Sequence, residues 1–229
     1  MLTKIQPPPS HRYKSWEEFT KTGKLTKVSN SHIYDSWQRC LELNLNPEDM
    51  NVSKKLPKGD MNRLFSENSM LIKASKSSLS ILENSINEMH YALILCGPKG
   101  NILYKSGHGV VSDYFDQANL VVGGNCSEGV IGTTAPGIAL VEKKPVIVLQ
   151  EEHYSKIYHW CCCSAFPIFD IDKGLVGCID ITFLNDQADK MNFLHGLNIA
   201  TVKSIQSSLH IQQLLQKMGD ARDIIESTS

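Results

Sequence analysis

Apolar side chains first recur at helical spacing about thirty residues into the chain. Residues 31–45 predict a short amphipathic helix, and Pro47 follows its end. One face of this helix carries Ile33, Trp37, Cys40 and Leu41. Residues 1–30, which include three consecutive prolines, lack this spacing and predict a loosely ordered segment.

A longer helical pattern covers residues 61–89, and Asp60 stands at the position of an N-cap. Its apolar positions follow steps of three and four residues: Met61, Phe65, Ile72, Leu79, Leu82, Ile86 and Met89. A seam of this length indicates a helix–helix contact. The sequence leaves open whether the helix packs within its own domain or against a second subunit.

From residue 90 the apolar residues form short compact runs that are typical of strands. The predicted strands are 91–96, 101–104, 146–149, 160–169 and 175–183. The turn Gly97–Gly100 joins the first two as a hairpin. Between strands, Thr133 and Thr134 precede a predicted helix that has Pro136 in its first turn and ends near Lys144.

The last forty residues return to helical spacing. Val202, Ile205 and Leu209 form one stripe, and a neighbouring face carries Ile211, Leu214, Leu215 and Met218. Segregated strands and helices predict an α+β fold with a central antiparallel sheet. The predicted organisation is a loose segment 1–30, a helical region 31–89, a ligand-sensing domain 90–185 and a C-terminal signalling or dimerisation helix 186–229.

Composition narrows the function classes. The 229 residues are 41% hydrophobic and 21% charged with a formal net charge of −1, which argues against a nucleic-acid-binding surface. No apolar run approaches the ~20 residues of a membrane span, and the first residues do not resemble a signal peptide. We therefore expect a cytoplasmic protein whose seven cysteines are thiols.

Three of the cysteines are consecutive, at 161–163. In a strand, Cys161 and Cys163 would share one face and Cys162 would take the other. Without a Cys-x-x-Cys pair, a metal site would need distant ligands such as Cys126, His153, Cys163 and Cys178. Redox sensing is a second alternative, and apolar packing is the interpretation that the sequence favours. No metal ligands are assigned.

Catalysis has no support in the sequence. None of the nucleophile-elbow, P-loop, dinucleotide-binding or His-Glu-x-x-His motifs occurs, so we expect no enzyme and assign no catalytic residue. Asp180 is the most informative single position. It lies between Ile179 and Ile181 in an apolar strand, where a carboxylate needs a hydrogen bond, a cation or a ligand as partner.

An ordered series of short motifs carries a resemblance to a known family. From 127 onward it comprises Ser127-Glu128, Gly132-Thr133, Gly137, Ala139-Leu140, Pro145-Val146, Glu152-His153-Tyr154, Cys163-Ser164-Ala165, Pro167-Ile168, and Gly177 with Asp180. Upstream are Ser36-Trp37, Arg39-Cys40 and Asn46-Pro47. Across residues 31–215 the series resembles the sensory GAF domain of acetoin-catabolism-type, sigma-54-dependent transcriptional regulators.

This resemblance implies a GAF-like fold, with helices on one side of the sheet and loops over a ligand pocket on the other. It also implies a regulatory fragment that binds a small-molecule effector. Sigma-54 RNA polymerase and DNA would be contacted only through an ATPase and a DNA-binding domain absent from this chain. The sequence departs from the family pattern at Thr134, Pro136, Cys161, Cys162 and Phe166, which we expect near the pocket. These departures leave the effector unidentified, and any cofactor is unknown.

The expected ligand-binding residues are Cys126, Glu128, Thr133, Thr134, His153, Tyr154, Cys161, Cys163 and Asp180. Binding would change the arrangement of the flanking helices 61–89 and 199–218, through which two chains would pair as a homodimer. The alternatives are a cysteine-based redox or metal sensor, and a GAF-fold reductase of free methionine sulfoxide. The reductase would need two cysteines within disulfide range.

Overall fold

A five-stranded antiparallel sheet forms the centre of the computed structural model, which describes residues 10–48, 53–184 and 190–228. The strand order is β2-β1-β5-β4-β3. The strands are β1 (Tyr91–Cys96), β2 (Ile102–His108), β3 (Val146–Leu149), β4 (Cys161–Phe169) and β5 (Leu175–Leu184). The antiparallel sheet and all five predicted strands are confirmed.

Turn chemistry accounts for the two hairpins. Gly100, in the turn between β1 and β2, has φ of +81°, a conformation that glycine adopts without a steric penalty. Between β4 and β5, the Asp170 side chain accepts a hydrogen bond of 2.6 Å from the Gly174 backbone N–H. Both turns therefore bring neighbouring chain segments together as antiparallel pairs.

Eight α-helices are present in the described part of the chain. They are α1 (His11–Thr22), α2 (Ser31–Glu42), α3 (Lys58–Glu67), α4 (Ser69–Ile86), α5 (Gly109–Gln117), α6 (Glu128–Ile131), α7 (Ala135–Glu142) and α8 (Met191–Thr228). Helix α7 begins as predicted, because Thr134 accepts a hydrogen bond of 3.2 Å from the Gly137 N–H and Pro136 lies in the first turn. Two 3₁₀ turns, Gln150–Glu152 and Lys156–Tyr158, lie between β3 and β4.

Three sequence expectations need correction in the N-terminal half. Residues of the expected loose segment form α1, whose Trp16 and Phe19 are buried; residues 1–9 lie outside the described part. Asp60 does not cap a helix, because α3 already begins at Lys58 and Asp60 lies in its first turn. The predicted helix 61–89 is divided at Asn68 into α3 and α4.

The apolar face of α2 is narrower than expected. Ile33, Trp37 and Cys40 are buried, whereas Leu41 is 43% exposed. Steps of three and four residues place Ile33, Trp37 and Cys40 in one line along the helix, and Leu41 falls at the solvent edge of that line. The interior therefore takes a single row of side chains from α2.

Each strand divides its side chains between two apolar layers, one on each face of the sheet. On one face, α4 and α8 pack over residues such as Leu93, Phe166 and Ile181. On the other face, Trp16, Trp37 and residues of α5 and α7 surround the alternate strand positions. The long helices thus lie on one side, as expected, and the opposite side is covered by short helices as well as loops.

Helix α8 makes most of its contacts through one stripe. Val202, Ile205 and Leu209 are buried against α4 and the sheet, and the Ser78 and Ser204 hydroxyls meet across the two helices at 2.9 Å. The seam of α4 is therefore used within its own domain. Farther along α8, four apolar side chains are between 48% and 69% exposed: Ile211, Leu214, Leu215 and Met218.

The described helices include none with the length and apolar character needed to cross a membrane. The expected domain boundary between residues 185 and 186 lies outside the described residues.

Candidate functional site

A small internal cavity lies on the sheet face opposite α4 and α8. Its volume is about 20 Å³, which is room for a single water-sized group. Strand β4 contributes Cys161 and Cys163 to its wall, and strand β5 contributes Asp180 and Thr182. The remaining wall comes from β1, α5, the segment around α6 and α7, and the turns before β4.

The two-residue repeat of a strand decides which side chains reach the cavity. On β4, Cys161 and Cys163 face the cavity layer, and Cys162 faces the α8 layer, as the sequence predicted. On β5, Asp180 faces the cavity, while Ile179 and Ile181 pack under the long helices. The sheet therefore delivers two thiols and one carboxyl group to a single buried space.

Asp180 is almost fully buried and has an incomplete set of hydrogen bonds. Its Oδ2 lies 2.8 Å from the Thr182 hydroxyl, which can donate to it, whereas its Oδ1 has no partner among the described residues. Burial raises the pKa of Asp180 to about 7, despite the opposing effect of the Thr182 hydrogen bond. Asp180 is thus a polar group of the cavity that can still bind a ligand atom.

His153 is held in a defined orientation by the 3₁₀ turn that precedes it. Its Nδ1 lies 2.8 Å from the Gln150 carbonyl oxygen, which can only accept a hydrogen bond. Nδ1 therefore carries a proton, and Nε2 is an acceptor or a ligand when the imidazole is neutral. This Nε2 lies 3.3 Å from Sγ of Cys163 and 3.9 Å from Sγ of Cys161.

All seven cysteines are buried, and none of them forms a disulfide. Burial raises the pKa of Cys163 well above its usual value, so the isolated site holds this residue as a neutral thiol. Cys96 and Cys178 face each other across β1 and β5 with their sulfur atoms 3.0 Å apart. Burial likewise raises the pKa of the Cys178 thiol.

The reductase alternative depends on the position of a cysteine pair. Cys96 and Cys178 are close enough for a disulfide, but they are not among the described residues that line the cavity. Cys161 and Cys163 do line it, with sulfur atoms 3.8 Å apart. Because the two residues are two positions apart on one strand, their Cα atoms are roughly 6.6 Å apart, near the upper limit for a disulfide. The geometry gives little support to this chemistry.

Six of the nine predicted ligand-binding residues line the cavity: Cys126, Thr134, His153, Cys161, Cys163 and Asp180. The other three, Glu128, Thr133 and Tyr154, have partners elsewhere. The structure brings together residues from positions 126 to 180 because α7 and the turns before β4 cover the same part of the sheet.

Glu128 and Thr133 connect the loop around α6 to helix α2. Arg39 donates two hydrogen bonds to the Glu128 carboxylate, of 2.7 and 2.8 Å. The Ser36 hydroxyl contacts Glu128 and lies 2.8 Å from the Thr133 hydroxyl, which also lies 3.4 Å from Sγ of Cys40. The Ser-Trp-x-Arg-Cys motif of α2 thus fixes the wall of the cavity from outside.

Tyr154 attaches the N-terminal helices to the turns before β4. Its backbone carbonyl accepts a hydrogen bond of 2.8 Å from Nε1 of Trp16, and its hydroxyl donates one of 3.0 Å to the Leu45 carbonyl. Similarly, Nε1 of Trp37 donates to the Glu152 carbonyl at 2.8 Å. These contacts hold the backbone on both sides of His153.

The five departures from the family pattern divide between the two faces of the sheet. Thr134, Pro136 and Cys161 line the cavity, as expected. The expectation is wrong for Cys162 and Phe166, which pack in the α8 layer because they occupy the alternate positions of β4. The Phe166 ring lies 4.6 Å from the ring of His195 on α8.

Sequence reasoning missed several lining residues, among them Phe115, Tyr158 and Thr182. Thr182 had a usable signal, since it follows Asp180 by two positions and so shares its face of β5. Phe115 and Tyr158 had none, because their contribution depends on how α5 and the second 3₁₀ turn fold over the sheet.

Comparison with known proteins agrees with this architecture. The sequence matches the family described as MimR, N-terminal domain, over residues 8–205. It is 32% identical over 169 residues to the acetoin dehydrogenase operon transcriptional activator AcoR of Bacillus subtilis, covering 73% of this chain and 28% of that protein. It is 25% identical over 190 residues to the propane 2-monooxygenase operon transcriptional activator MimR of Mycolicibacterium smegmatis, covering 81% and 31% respectively. The chain spans less than a third of the length of these relatives.

A solved structure shares the fold. It is the DhaR(N) part of the Escherichia coli DhaR(N)–DhaL complex, with a TM-score of 0.77 and 20% identity over 86% of this chain and 67% of that one. The family match extends from α1 through the cavity and the sheet to the buried stripe of α8. This protein therefore belongs to the MimR N-terminal domain family, whose relatives here are operon transcriptional activators.

Proposed function

We propose that the chain is the effector-sensing domain of a cytoplasmic, sigma-54-dependent transcription activator and has no catalytic activity of its own. A small molecule binds at the cavity, and the flanking helices transmit the bound state. Contacts with sigma-54 RNA polymerase and DNA belong to further domains of the regulator. The names of the relatives support a role in transcription, and the resemblance of the motif series supports the sigma-54 class.

The observation that carries this proposal is that strand β4 borders both the cavity and α8. Cys163 lines the cavity, and the next residue, Ser164, contacts α8 on the other side of the sheet. The Ser164 hydroxyl lies 3.2 Å from Nδ1 of His195, and its carbonyl accepts a hydrogen bond of 2.9 Å from the Asn198 side chain. A displacement of β4 by a ligand would therefore move the contact surface of α8.

The size of the cavity makes such a displacement necessary for an organic effector. About 20 Å³ accommodates one water-sized group, so a molecule of several carbon atoms must push wall residues apart. A well-packed interior resists local expansion and passes the strain to neighbouring elements. Binding energy would thereby favour one position of α8 over another.

Pairing of two chains through α8 completes the proposal. The exposed residues Ile211, Leu214, Leu215 and Met218 recur at steps of three and four, the spacing of a coiled-coil seam. The opposite side of the helix is attached to its own domain, since Gln213 accepts a hydrogen bond of 3.1 Å from the Ile171 N–H. The exposed apolar side chains are thus available to a partner helix.

The test compares thermal unfolding of the full chain with and without a panel of small molecules. The panel includes acetoin, dihydroxyacetone and glycerol, which appear in the names of relatives or of the operons they control. A ligand at one hundred times its Kd stabilises the folded state by about 2.7 kcal/mol, which is readily measured as a rise in Tm. Native mass spectrometry of the same samples gives the mass of the bound compound.

Two variants test whether the compound binds at the cavity. Asp180→Asn alters the cavity and is expected to reduce the Tm increase, whereas Asp172→Asn alters an exposed ion pair with Lys217 and is expected to leave it unchanged. Equal responses of both variants would place the compound outside the cavity. A chain that gains neither stability nor mass with any compound of a broad metabolite panel would contradict the proposal.

A further inference from the structure

Three ligating atoms meet in the cavity wall at distances characteristic of a metal centre. Nε2 of His153, Sγ of Cys161 and Sγ of Cys163 lie within 4.8 Å of one another, and the three side chains are at most 4% exposed. The two sulfur atoms are 3.8 Å apart, and the nitrogen lies 3.3 and 3.9 Å from them.

These distances match the edges of a tetrahedral zinc site. With Zn–S bonds of about 2.3 Å and Zn–N bonds of about 2.05 Å, tetrahedral angles place two sulfur atoms about 3.8 Å apart. The same geometry places a nitrogen about 3.6 Å from each sulfur. The observed sulfur separation equals the ideal one, and the two nitrogen–sulfur distances average to the ideal value.

The orientation of the histidine is also that of a metal ligand. Ligating histidines commonly donate their other ring N–H to a carbonyl or carboxylate, which fixes the ring and leaves the second nitrogen free. Here Nδ1 donates to the Gln150 carbonyl at 2.8 Å, so the neutral imidazole has its lone pair on Nε2, the nitrogen that lies beside the two sulfur atoms. The tautomer required for coordination is thus set by the backbone.

A second layer of contacts surrounds the sulfur atoms. The Thr182 hydroxyl lies 3.1 Å from Sγ of Cys163 and 2.8 Å from Oδ2 of Asp180, and its single hydrogen can be donated to either. Asp180 lines the same cavity but stands outside the group of three ligating atoms. Its unpartnered Oδ1 can accept a hydrogen bond from a water or effector on the metal.

We propose that His153, Cys161 and Cys163 bind one thiophilic divalent metal ion of the zinc class, whose fourth position opens to the cavity. Each thiol releases its proton to solvent as its sulfur–metal bond forms, so binding releases two protons and two thiolates balance the charge of the ion. Three protein ligands with one open position are the arrangement of zinc sites that bind a further molecule.

This inference deepens the proposed function by giving the chemistry of the effector site, and it rests on that function only for the role of the fourth ligand. A metal at this place would bind small molecules that present an oxygen, nitrogen or sulfur donor. Such a ligand can be compact, which suits a cavity of about 20 Å³.

The test uses the full 229-residue chain, stripped with a chelator under reducing conditions and then titrated with Zn²⁺ or Co²⁺. We expect one ion per chain by elemental analysis. Co²⁺ should show a sulfur-to-cobalt charge-transfer band and the intense visible bands of tetrahedral cobalt. Circular dichroism verifies that each protein is folded.

Four variants separate ligation from packing. Cys161→Ser and Cys163→Ser should weaken or abolish the cobalt spectrum, and Thr182→Val should reduce metal affinity by about tenfold through loss of a contact to the ligating sulfur. The matched control is Cys162→Ala, which changes a buried cysteine on the other face of β4 and should bind metal like the parent. A folded parent that takes up no more Zn²⁺ or Co²⁺ than the Cys161→Ser/Cys163→Ser double variant would overturn the proposal.

The metal site and the sensing function can be refuted separately, because their tests have different readouts. A chain that binds one ion but responds to no small molecule would support the metal site and count against the proposed function. A chain that responds to an effector at the cavity, without taking up metal, would overturn the metal site and leave the proposed function standing.

Discussion

At the residue scale, the ion pair between Glu128 and Arg39 joins the loop around α6 to α2. The Glu128 side chain is 5% exposed, and its two oxygen atoms receive two hydrogen bonds from the guanidinium group. A buried carboxylate without such a partner is costly, so the pair holds the loop around α6 to α2. The sequence suggested a ligand contact for Glu128, and the structure assigns it this internal partner.

Removing one member of this pair should destabilise the fold. We expect Glu128→Ala to lower the free energy of unfolding by about 2 kcal/mol, because two charge-assisted hydrogen bonds are lost and Arg39 keeps only its longer contact of 3.7 Å with Glu142. Chemical denaturation measures the change. Glu17→Ala is the control, since the Glu17–Lys21 pair is exposed and should contribute less than about 0.5 kcal/mol. Similar losses in the two variants would show that Glu128 is not critical to the packing of α2.

The carboxyl group of Asp180 should give the stability a characteristic pH dependence. Its pKa rises from 3.8 to about 7 in the folded chain, so between these values the folded state binds a proton that the unfolded state has released. The contribution to stability is therefore full below about pH 4, is lost as the pH rises toward 7, and is constant above it.

Asp180→Asn should remove this part of the pH profile. We expect the free energy of unfolding of the variant, relative to the parent, to increase between pH 4 and 7 and then to level off. Denaturation series in the presence of a chelator, which keeps metal ions from the cavity, provide the measurement. Parallel profiles for parent and variant would mean that Asp180 ionises normally in the folded chain.

At the scale of single elements, the attachment of α8 to β4 connects the cavity to the long helices. Asn198 is fully buried on α8 and donates to the Ser164 carbonyl at 2.9 Å. Two further side chains of α8 bind the backbone at the far end of β4: Gln206 accepts from the Phe169 N–H, and His210 lies 3.2 Å from the Phe169 carbonyl oxygen. The helix is therefore attached to the middle of the strand, at Ser164, and to its C-terminal end, at Phe169.

Loss of the central attachment should be measurable. We expect Asn198→Ala to lower the free energy of unfolding by about 1 kcal/mol, the typical contribution of one hydrogen bond. Hydrogen exchange should increase in α8 near residue 198. Ser207→Ala, which removes an exposed hydroxyl contact within the helix, serves as control and should change stability by less than about 0.5 kcal/mol. An unchanged exchange pattern in Asn198→Ala would contradict this role.

The strands and the long helices could be predicted because their side-chain periods are local properties of the sequence. The alternation at Cys161–Cys163 is the clearest case, since a repeat of two decides the face of each cysteine. Helix α1 could not be found in the same way. Its two buried aromatic residues, Trp16 and Phe19, are one turn apart, and the partners that bury them lie on other elements, at Tyr154 for Trp16 and at Trp37 of α2 for Phe19.

Prediction of the residues that line the cavity was most successful on the strands, where side chains alternate between the two faces. It was least successful in the loops. Asp180, Cys161 and Cys163 followed from their strands. Glu128 and Thr133 lie near lining residues in sequence, but their side chains contact Arg39 and Ser36 of α2. Such a choice depends on tertiary packing and has no signature in the local pattern.

At the scale of the whole molecule, the exposed apolar face of α8 is a candidate surface for the pairing of two chains. This helix has 38 residues and is therefore roughly 57 Å long. Apolar side chains exposed in succession on one helix are characteristic of interaction surfaces. The proposed homodimer would bury them.

Interrupting this face should separate the two chains. We expect Leu215→Glu to convert a dimer to a monomer in sedimentation velocity experiments, because a charge in the seam of a helical pair is strongly unfavourable. Leu43→Glu introduces the same charge at a similarly exposed leucine after α2 and should leave assembly unchanged. A parent chain that sediments as a monomer at high concentration would contradict pairing through α8.

All seven cysteines are buried, so their reactivity toward a thiol reagent reports local opening of the fold. A thiol reagent in solution can modify these residues only when a fluctuation exposes them, so the labelling rate of each sulfur counts openings of its layer. Cys162 reports on the side of the long helices, and Cys40 and Cys126 report on the opposite side. Mass spectrometry of partially labelled chains can therefore show, without any introduced probe, which half of the molecule opens first.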